Sequence, residues 1–282
     1  MFDKFGRTWL LIHVLVLPLG IFGQTKTYTQ LELEDIQLRQ KRLLEAHQRE
    51  TNQVDKDTIE SRIIALRGEY QALLSKNEDN VPVLVTYGLF LAQIDEREDA
   101  LKLLLKADAL EPGIPQVKNQ LGNFMIEQAN YTLALPYFLA AVELASHEPL
   151  YHYQLGNLLY YFRKEFVQDG IMTEDHLNKQ MFDAFKNAAR LAPENMAYQY
   201  RFAECYYDLP DANLNEALKE WQQIEENTYS DRDKQLVRLH QANVLLMLNR
   251  YEDVPEILEK ITDEDLQESK GKLKERLENK SD

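Results

Sequence analysis

Histidines, the single cysteine and adjacent carboxylates are the residues of this sequence whose chemistry could support catalysis or metal binding. The six histidines show none of the close spacings that metal sites use, such as His-Glu-x-x-His; they are His13, His47, His147, His152, His176 and His240. Glu174 and Asp175 directly precede His176, so a metal site can be drawn there. A helix N-terminal turn and packing histidines explain the same residues more simply, and we expect no metal site.

Cys205 is the only cysteine, so the chain forms no intramolecular disulfide. It lies between Glu204 and Tyr206 in a predicted helix, and no activating histidine is near it in the sequence, so we expect a buried, unreactive thiol. The sequence contains no phosphate-binding Gly-rich loop, Gly-x-Ser-x-Gly elbow or Cys-x-x-Cys pair. We therefore predict no catalytic residue, no cofactor and a protein that is not an enzyme.

The composition favours a helical, acidic protein. Apolar residues make up 44% of the 282 residues, and only 10 glycines and 9 prolines occur, which favours helix over sheet. The formal net charge is -15. A nucleic-acid-binding protein needs a basic face to neutralise phosphates, so this class is disfavoured, as is docking of the folded part on anionic lipid.

The N-terminus has the pattern of a secretory signal peptide. Lys4 and Arg7 precede the apolar run WLLIHVLVL, which Pro18 and Gly20 follow before a polar segment begins. We predict a signal peptide over residues 1–23 and export to the periplasm or the extracellular space. An uncleaved anchor is the alternative, and contact with the membrane is expected only in that case.

The stretch QLGN occurs twice, at residues 120–123 and 154–157, which are 34 residues apart. Extending the comparison shows a small residue in the middle of five predicted helices: Gly88, Gly122, Gly156, Ala203 and Ala242. Each has a bulky side chain three residues later: Leu91, Met125, Leu159, Tyr206 and Leu245. A spacing of three lies on one helical face, so these residues predict the buried faces of five repeated helices.

A second helix follows in each repeat, with its own bulky packing position. That position is occupied by Leu104, Phe138, Phe185, Trp221 and Leu258. Small residues allow the paired helices to cross closely, and the bulky ones fill the space beside the crossing. The sequence thus predicts stacked helical hairpins, each of which buries its apolar face only against neighbours.

This pattern resembles the tetratricopeptide repeat (TPR), a 34-residue helix-turn-helix unit. The resemblance covers about five units over residues 81–263. It implies an all-α superhelical solenoid of stacked helix-turn-helix hairpins, in which the first helices line a concave groove that binds peptides. Some TPR domains clamp a C-terminal carboxylate with lysines, but Asn119 stands where such a lysine is expected, so we expect no such clamp.

Three segments depart from the repeat. Residues 162–174 are extra to one unit, and we expect them to lengthen its first helix and form a protrusion. Residues 24–78 are charged and contain two amphipathic helices, which form either a degenerate capping repeat or a self-associating coiled coil. Residues 264–282 are expected to form a polar capping helix.

Tyrosine and asparagine dominate the predicted groove. Three tyrosine pairs recur at an offset of 47 residues: Tyr151 and Tyr198, Tyr153 and Tyr200, Tyr160 and Tyr207. Tyrosine offers an apolar face and a hydroxyl, and asparagine can pair with an extended backbone. The TPR resemblance places a peptide-binding groove at Asn123, Tyr153, Asn157, Tyr160, Tyr200, Arg201, Glu204, Tyr207 and Asn243. Packing of these tyrosines between neighbouring first helices is an equal alternative.

The sequence therefore predicts an exported, non-enzymatic TPR scaffold or adaptor that binds a peptide or protein in the cell envelope. A self-associating structural spacer, and hence a homo-oligomer, is the first alternative. A metal-dependent enzyme built around the extra segment is the weaker one. No nucleic-acid partner is expected.

Overall fold

The computed structural model describes residues 27–49 and 56–281. The predicted signal peptide, residues 1–23, lies outside these ranges. Throughout the described residues the regular structure is helical, without a strand. Within them, no helix is both long and apolar enough to cross a membrane. The chain divides into two compact units, Met1–Leu144 and Ala145–Asp282.

The described part of the first unit contains six helices: α1 (Tyr28–Arg49), α2 (Lys56–Lys76), α3 (Val81–Gln93), α4 (Arg97–Leu110), α5 (Pro115–Glu127) and α6 (Tyr131–Leu144). Helices α3 and α4 form one antiparallel hairpin, and α5 and α6 form the next. Helices α1 and α2 pack on α3, where the Tyr70 ring stacks on Tyr87 with centroids 5.0 Å apart. The buried Tyr70 hydroxyl donates to Gln40 Oε1 at 2.5 Å.

The second unit contains helices α7 (Pro149–Tyr161), α8 (Arg163–Gln168), α9 (Glu174–Leu191), α10 (Met196–Cys205), α11 (Leu214–Asn227), α12 (Asp231–Met247), α13 (Val254–Glu259) and α14 (Gln267–Ser281). Short 3-10 turns cover Tyr206–Asp208, Tyr251–Asp253 and Glu264–Leu266. The repeated hairpins are α7 with α9, α10 with α11, and α12 with α13.

The glycines of the repeat lie where paired helices cross. A Cβ on Gly156 would be 2.7 Å from Cε1 of Phe185, well inside normal van der Waals contact. A Cβ on Gly88 would approach Leu104 to 2.8 Å, and one on Gly122 would approach Phe138 to 3.0 Å. Close crossings of this kind leave no room for a side chain, which explains the small residue in the middle of each first helix.

Three hairpins turn through the same backbone conformation. Asp95, Ala129 and Asn249 have φ of 66°, 56° and 57°, and each lies seven residues after the small residue of its first helix. This left-handed conformation is unfavourable for residues with a Cβ, least so for Asn and Asp. Its recurrence at one repeat position shows that the hairpins share their turn geometry as well as their crossing.

The extra segment does not lengthen α7 as predicted. Phe162 leaves the helical conformation with φ -107° and ψ 22°, and the short helix α8 follows. Phe166 on α8 is fully buried, which ties the segment to the hairpin beneath it. Gly170 has φ 67°, and Thr173 caps α9 by accepting a hydrogen bond from His176 N at 3.3 Å.

The last helix, α14, packs on α12. The Arg276 guanidinium donates to Asn243 Oδ1 at 2.7 Å, and Lys270 Nζ donates to the carbonyl oxygen of Ile261 at 2.6 Å. Leu273 is the buried apolar residue of this otherwise polar helix. Helix α14 thus covers part of α12 with polar contacts.

Candidate functional site

Eight of the nine predicted groove residues lie in the second unit, on α7, α10, α12 and the 3-10 turn after α10. Glu204 lies near the end of α10. Its negative charge helps to raise the pKa of the four tyrosines of this set, Tyr153, Tyr160, Tyr200 and Tyr207. We call these five residues the tyrosine face. Asn123 belongs to α5 of the first unit, where it is half-buried.

Glu204 is a half-buried carboxyl group in this face. Burial raises its pKa; the Arg201 guanidinium opposes the rise, and the carboxylate of Asp208 adds to it. Burial disfavours the charged form of a carboxyl group unless hydrogen bonds or cations compensate. The fold therefore holds Glu204 in an environment that the charged form does not favour.

Arg201 is already bound by neighbours within the unit. Its guanidinium carbon lies 4.0 Å from the Tyr160 ring centroid and 4.3 Å from that of Phe185. Its Nη2 also pairs with Asp208 Oδ2 at 3.3 Å. Stacking of a cation between two rings, together with an ion pair, locks Arg201 in place. Arg201 is therefore a support for Tyr160, whereas Tyr160 itself remains 36% exposed.

Tyr153 and Asn157 on α7 are joined by a side-chain hydrogen bond, which opposes the effect of burial in raising the Tyr153 pKa. The Tyr153 ring packs 4.6 Å from Tyr198 and 6.0 Å from Phe185, measured between centroids. Asn157 is only 7% exposed. Asn157, which we predicted to line the groove, is thus enclosed by its neighbours.

Tyr200 and Tyr207 pack around Trp221 of α11. The Tyr200 ring meets the Trp221 ring edge-on at 5.4 Å, and His240 stacks on Trp221 at 4.0 Å with an interplanar angle of 10°. The Tyr207 ring lies nearly parallel to both, at 6.4 Å from Trp221 and 6.1 Å from His240. Burial raises the pKa of Tyr200 and Tyr207 to about 12 and lowers the pKa of His240 to about 4.

Most rings in the predicted groove thus pack against other side chains on one side. Tyr160 has the largest exposed fraction of the four tyrosines. Asn243 contacts the capping helix through Arg276. Sequence analysis missed His240 as part of this cluster. His240 lies two residues before the small residue Ala242, whereas Tyr200 lies three residues before Ala203, so the repeat register did not point to His240.

The other reactive side chains are structural. Cys205 is fully buried, and burial raises its pKa to about 12, so the thiolate is strongly disfavoured. His152 is buried, and its Nε2 lies 2.8 Å from the carbonyl oxygen of Ser146. Within residues 27–49 and 56–281, no group of three or more His, Cys, Asp or Glu side chains is arranged to hold a metal ion.

Comparison with solved structures identifies the fold. YrrB, described as a TPR protein with an unusual peptide-binding site, aligns over 73% of this chain and 97% of its own, at 17% identity and a TM-score of 0.59. PilF of Pseudomonas aeruginosa aligns over 80% of this chain and 90% of its own, at 14% identity and a TM-score of 0.53. At these identities the likeness concerns the fold. No family model matches the chain. No curated protein matches it in sequence.

The predicted fold class is therefore confirmed: the chain is an all-α solenoid of stacked TPR-like helix-turn-helix hairpins. Solenoids of stacked repeats present extended concave surfaces.

Proposed function

We propose that this chain is an exported, non-enzymatic TPR scaffold or adaptor that binds a peptide or protein partner of the cell envelope through its first helices. The observation that carries the proposal is the tyrosine face around Glu204. The peptide-binding site described for YrrB, which shares the fold, supports a peptide as the type of partner.

Glu204 fits a binding role better than a structural one. Its carboxylate is disfavoured by burial, and Arg201, whose charge opposes that effect, is committed to two rings and to Asp208. A partner that donates N–H groups to Glu204 would supply the hydrogen bonds that the fold leaves out. The exposed part of Tyr160 offers an aromatic anchor next to it.

The binding test compares two double variants in affinity capture from an envelope extract. We expect Tyr160→Ala/Glu204→Gln to capture its partner about tenfold more weakly, a loss of ~1–2 kcal/mol for an aromatic anchor and a charged acceptor. The control, Tyr28→Ala/Glu226→Gln, removes an exposed tyrosine and an exposed glutamate outside the face. Equal capture by both variants, each with wild-type helicity, would contradict the proposal.

Export is tested separately. The apolar run of residues 9–17 is the reason to expect export. We expect a reporter enzyme that is active only outside the cytoplasm to be fully active when it is fused to residues 1–40. Replacing Leu11 and Leu15 by Arg should abolish that activity. A reporter that stays inactive would remove export while leaving the binding proposal intact.

Self-association remains the second candidate, and one observation favours it. Tyr28, Leu31 and Leu38 are exposed on α1 and lie three and seven residues apart, which places them on one side of that helix. A second copy of the chain could cover this stripe.

A further inference from the structure

A second surface of the Ala145–Asp282 unit has the features of a docking site. A cleft of about 790 Å³ opens where α10 and α12 begin and where α11 ends. Tyr200 and the loop between α11 and α12 line it. Ligand-binding clefts in proteins measure roughly 300–1,000 Å³, and this cleft falls in that range.

The charged side chains that line the cleft are all negative. Three carboxylates line it, Glu194, Glu220 and Asp233, and no lysine, arginine or histidine is among its lining residues. Burial raises the pKa of Glu220; the charge of Glu216 adds to the rise, and Lys186 opposes it. The negative potential of this cleft is therefore only partly compensated from within the protein, so it complements a cation.

The mouth of the cleft is apolar and firmly positioned. The Tyr229 ring is fully exposed, and Leu236 is 37% exposed. The residues on both sides of Tyr229 are anchored: buried Thr228 donates its hydroxyl hydrogen to the carbonyl oxygen of Ile224 at 2.7 Å, and Ser230 caps α12 by accepting from Asp233 N at 3.3 Å. An exposed aromatic ring between two anchored residues is suited to contact with a partner.

We propose that this cleft docks a segment of a partner protein in which a lysine or arginine adjoins a bulky apolar residue. The cation enters between Glu220 and Asp233, and the apolar neighbour packs on Tyr229 and Leu236. Charge complementarity selects a basic side chain, and the apolar mouth selects its neighbour. Tyr200 belongs both to the cleft and to the tyrosine face. The proposal rests on Glu220, Asp233, Tyr229 and Leu236, none of which is part of the tyrosine face.

The experiment screens the purified chain against an array of random hexapeptides with blocked ends. We expect enrichment of peptides that carry Lys or Arg beside Leu, Ile, Phe or Tyr. Replacing the lysine by norleucine, or the arginine by citrulline, in the best binders should weaken binding at least tenfold. Raising the salt from 50 to 500 mM should also weaken it, because the attraction is screened.

Two variants place the binding on the molecule. Glu220→Gln/Asp233→Asn should bind the selected peptides at least tenfold more weakly, and Tyr229→Ala should lower the affinity severalfold. Glu226→Gln/Glu252→Gln removes the same charge from exposed residues outside the cleft and should bind as the wild type does. Thermal melts confirm that each variant folds.

Two results would overturn the inference: no enrichment of basic peptides, or selected peptides that bind Glu220→Gln/Asp233→Asn as tightly as the wild type. Peptides lost instead in Tyr160→Ala/Glu204→Gln would locate binding on the tyrosine face. That outcome supports the proposed function and removes the cleft as a docking site.

Discussion

Burial raises the pKa of Glu204 above its ordinary value of 4.5, so its proton is held to a higher pH in the folded than in the unfolded chain. Between these two pKa values the folded state binds more protons, and the free energy of unfolding therefore falls as pH rises. The lost stability is not regained above the folded-state pKa. Once ionised in the folded chain, the Glu204 side chain therefore weakens the fold.

We expect Glu204→Gln to be more stable than the wild type at pH 7, because a neutral amide removes the cost of burying a charge. The gain should shrink as the pH falls to 4.5 and below, where the wild-type carboxyl group is also neutral. Urea unfolding of both proteins between pH 4 and 7 measures it. A residue that binds a partner commonly costs the fold stability in this way.

Removing any one negative charge from a chain of net charge -15 reduces the repulsion between its charges. Glu226→Gln is the control for this general effect. Glu226 is exposed on α11, so its substitution should change stability by a few tenths of a kcal/mol. If Glu204→Gln is instead less stable than the wild type at pH 7, Glu204 holds the fold together and loses its claim to a binding role.

At the scale of the helices, the crossing of α7 and α9 depends on Gly156. An alanine there would bring a Cβ within 2.7 Å of the rigid Phe185 ring, which is itself stacked against Arg201. We expect Gly156→Ala to destabilise the chain by about 1–3 kcal/mol, because overpacking outweighs the better helix propensity of alanine. Thermal or urea unfolding measures the change.

Gly271 is the matched control, since it lies in α14 with nothing within 4 Å of a Cβ built on it. Gly271→Ala should gain about 0.5–1 kcal/mol from helix propensity alone. Gly156→Ala should also weaken binding at the tyrosine face, because Phe185 supports Arg201 and thereby Tyr160. Equal stabilisation by both substitutions would show that α7 and α9 are not closely packed at Gly156.

At the scale of the whole molecule, we expect the chain to be a monomer. Stable dimers bury about 800 Å² on each partner, and Tyr28, Leu31 and Leu38 are too few side chains to supply that area. Light scattering of the wild type and of Leu31→Gln/Leu38→Gln should give the mass of one chain for both. A wild-type dimer that the double variant dissociates would favour the structural spacer over the adaptor.

The hairpins were predictable from the sequence because their determinants are local and repeat. A small residue followed three positions later by a bulky one marks the buried face of its own helix, and five copies of that pattern define a stack. Gly156 against Phe185 was thus foreseen as a crossing. The break after Tyr161 was not, because α8 is held by the burial of Phe166 rather than by a helix-ending residue.

The sequence by itself determined the helices, their faces and the small residues at their crossings, since periodicity shows which residues share a face. Only the tertiary structure decided which of those residues stay accessible, because burial depends on side chains from other helices. Stacking of Arg201 on Tyr160 and Phe185, and of His240 on Trp221, joins residues that are 16 to 41 positions apart. Such contacts give most side chains of the predicted groove a packing role, and we propose Glu204 and Tyr160 as its functional candidates.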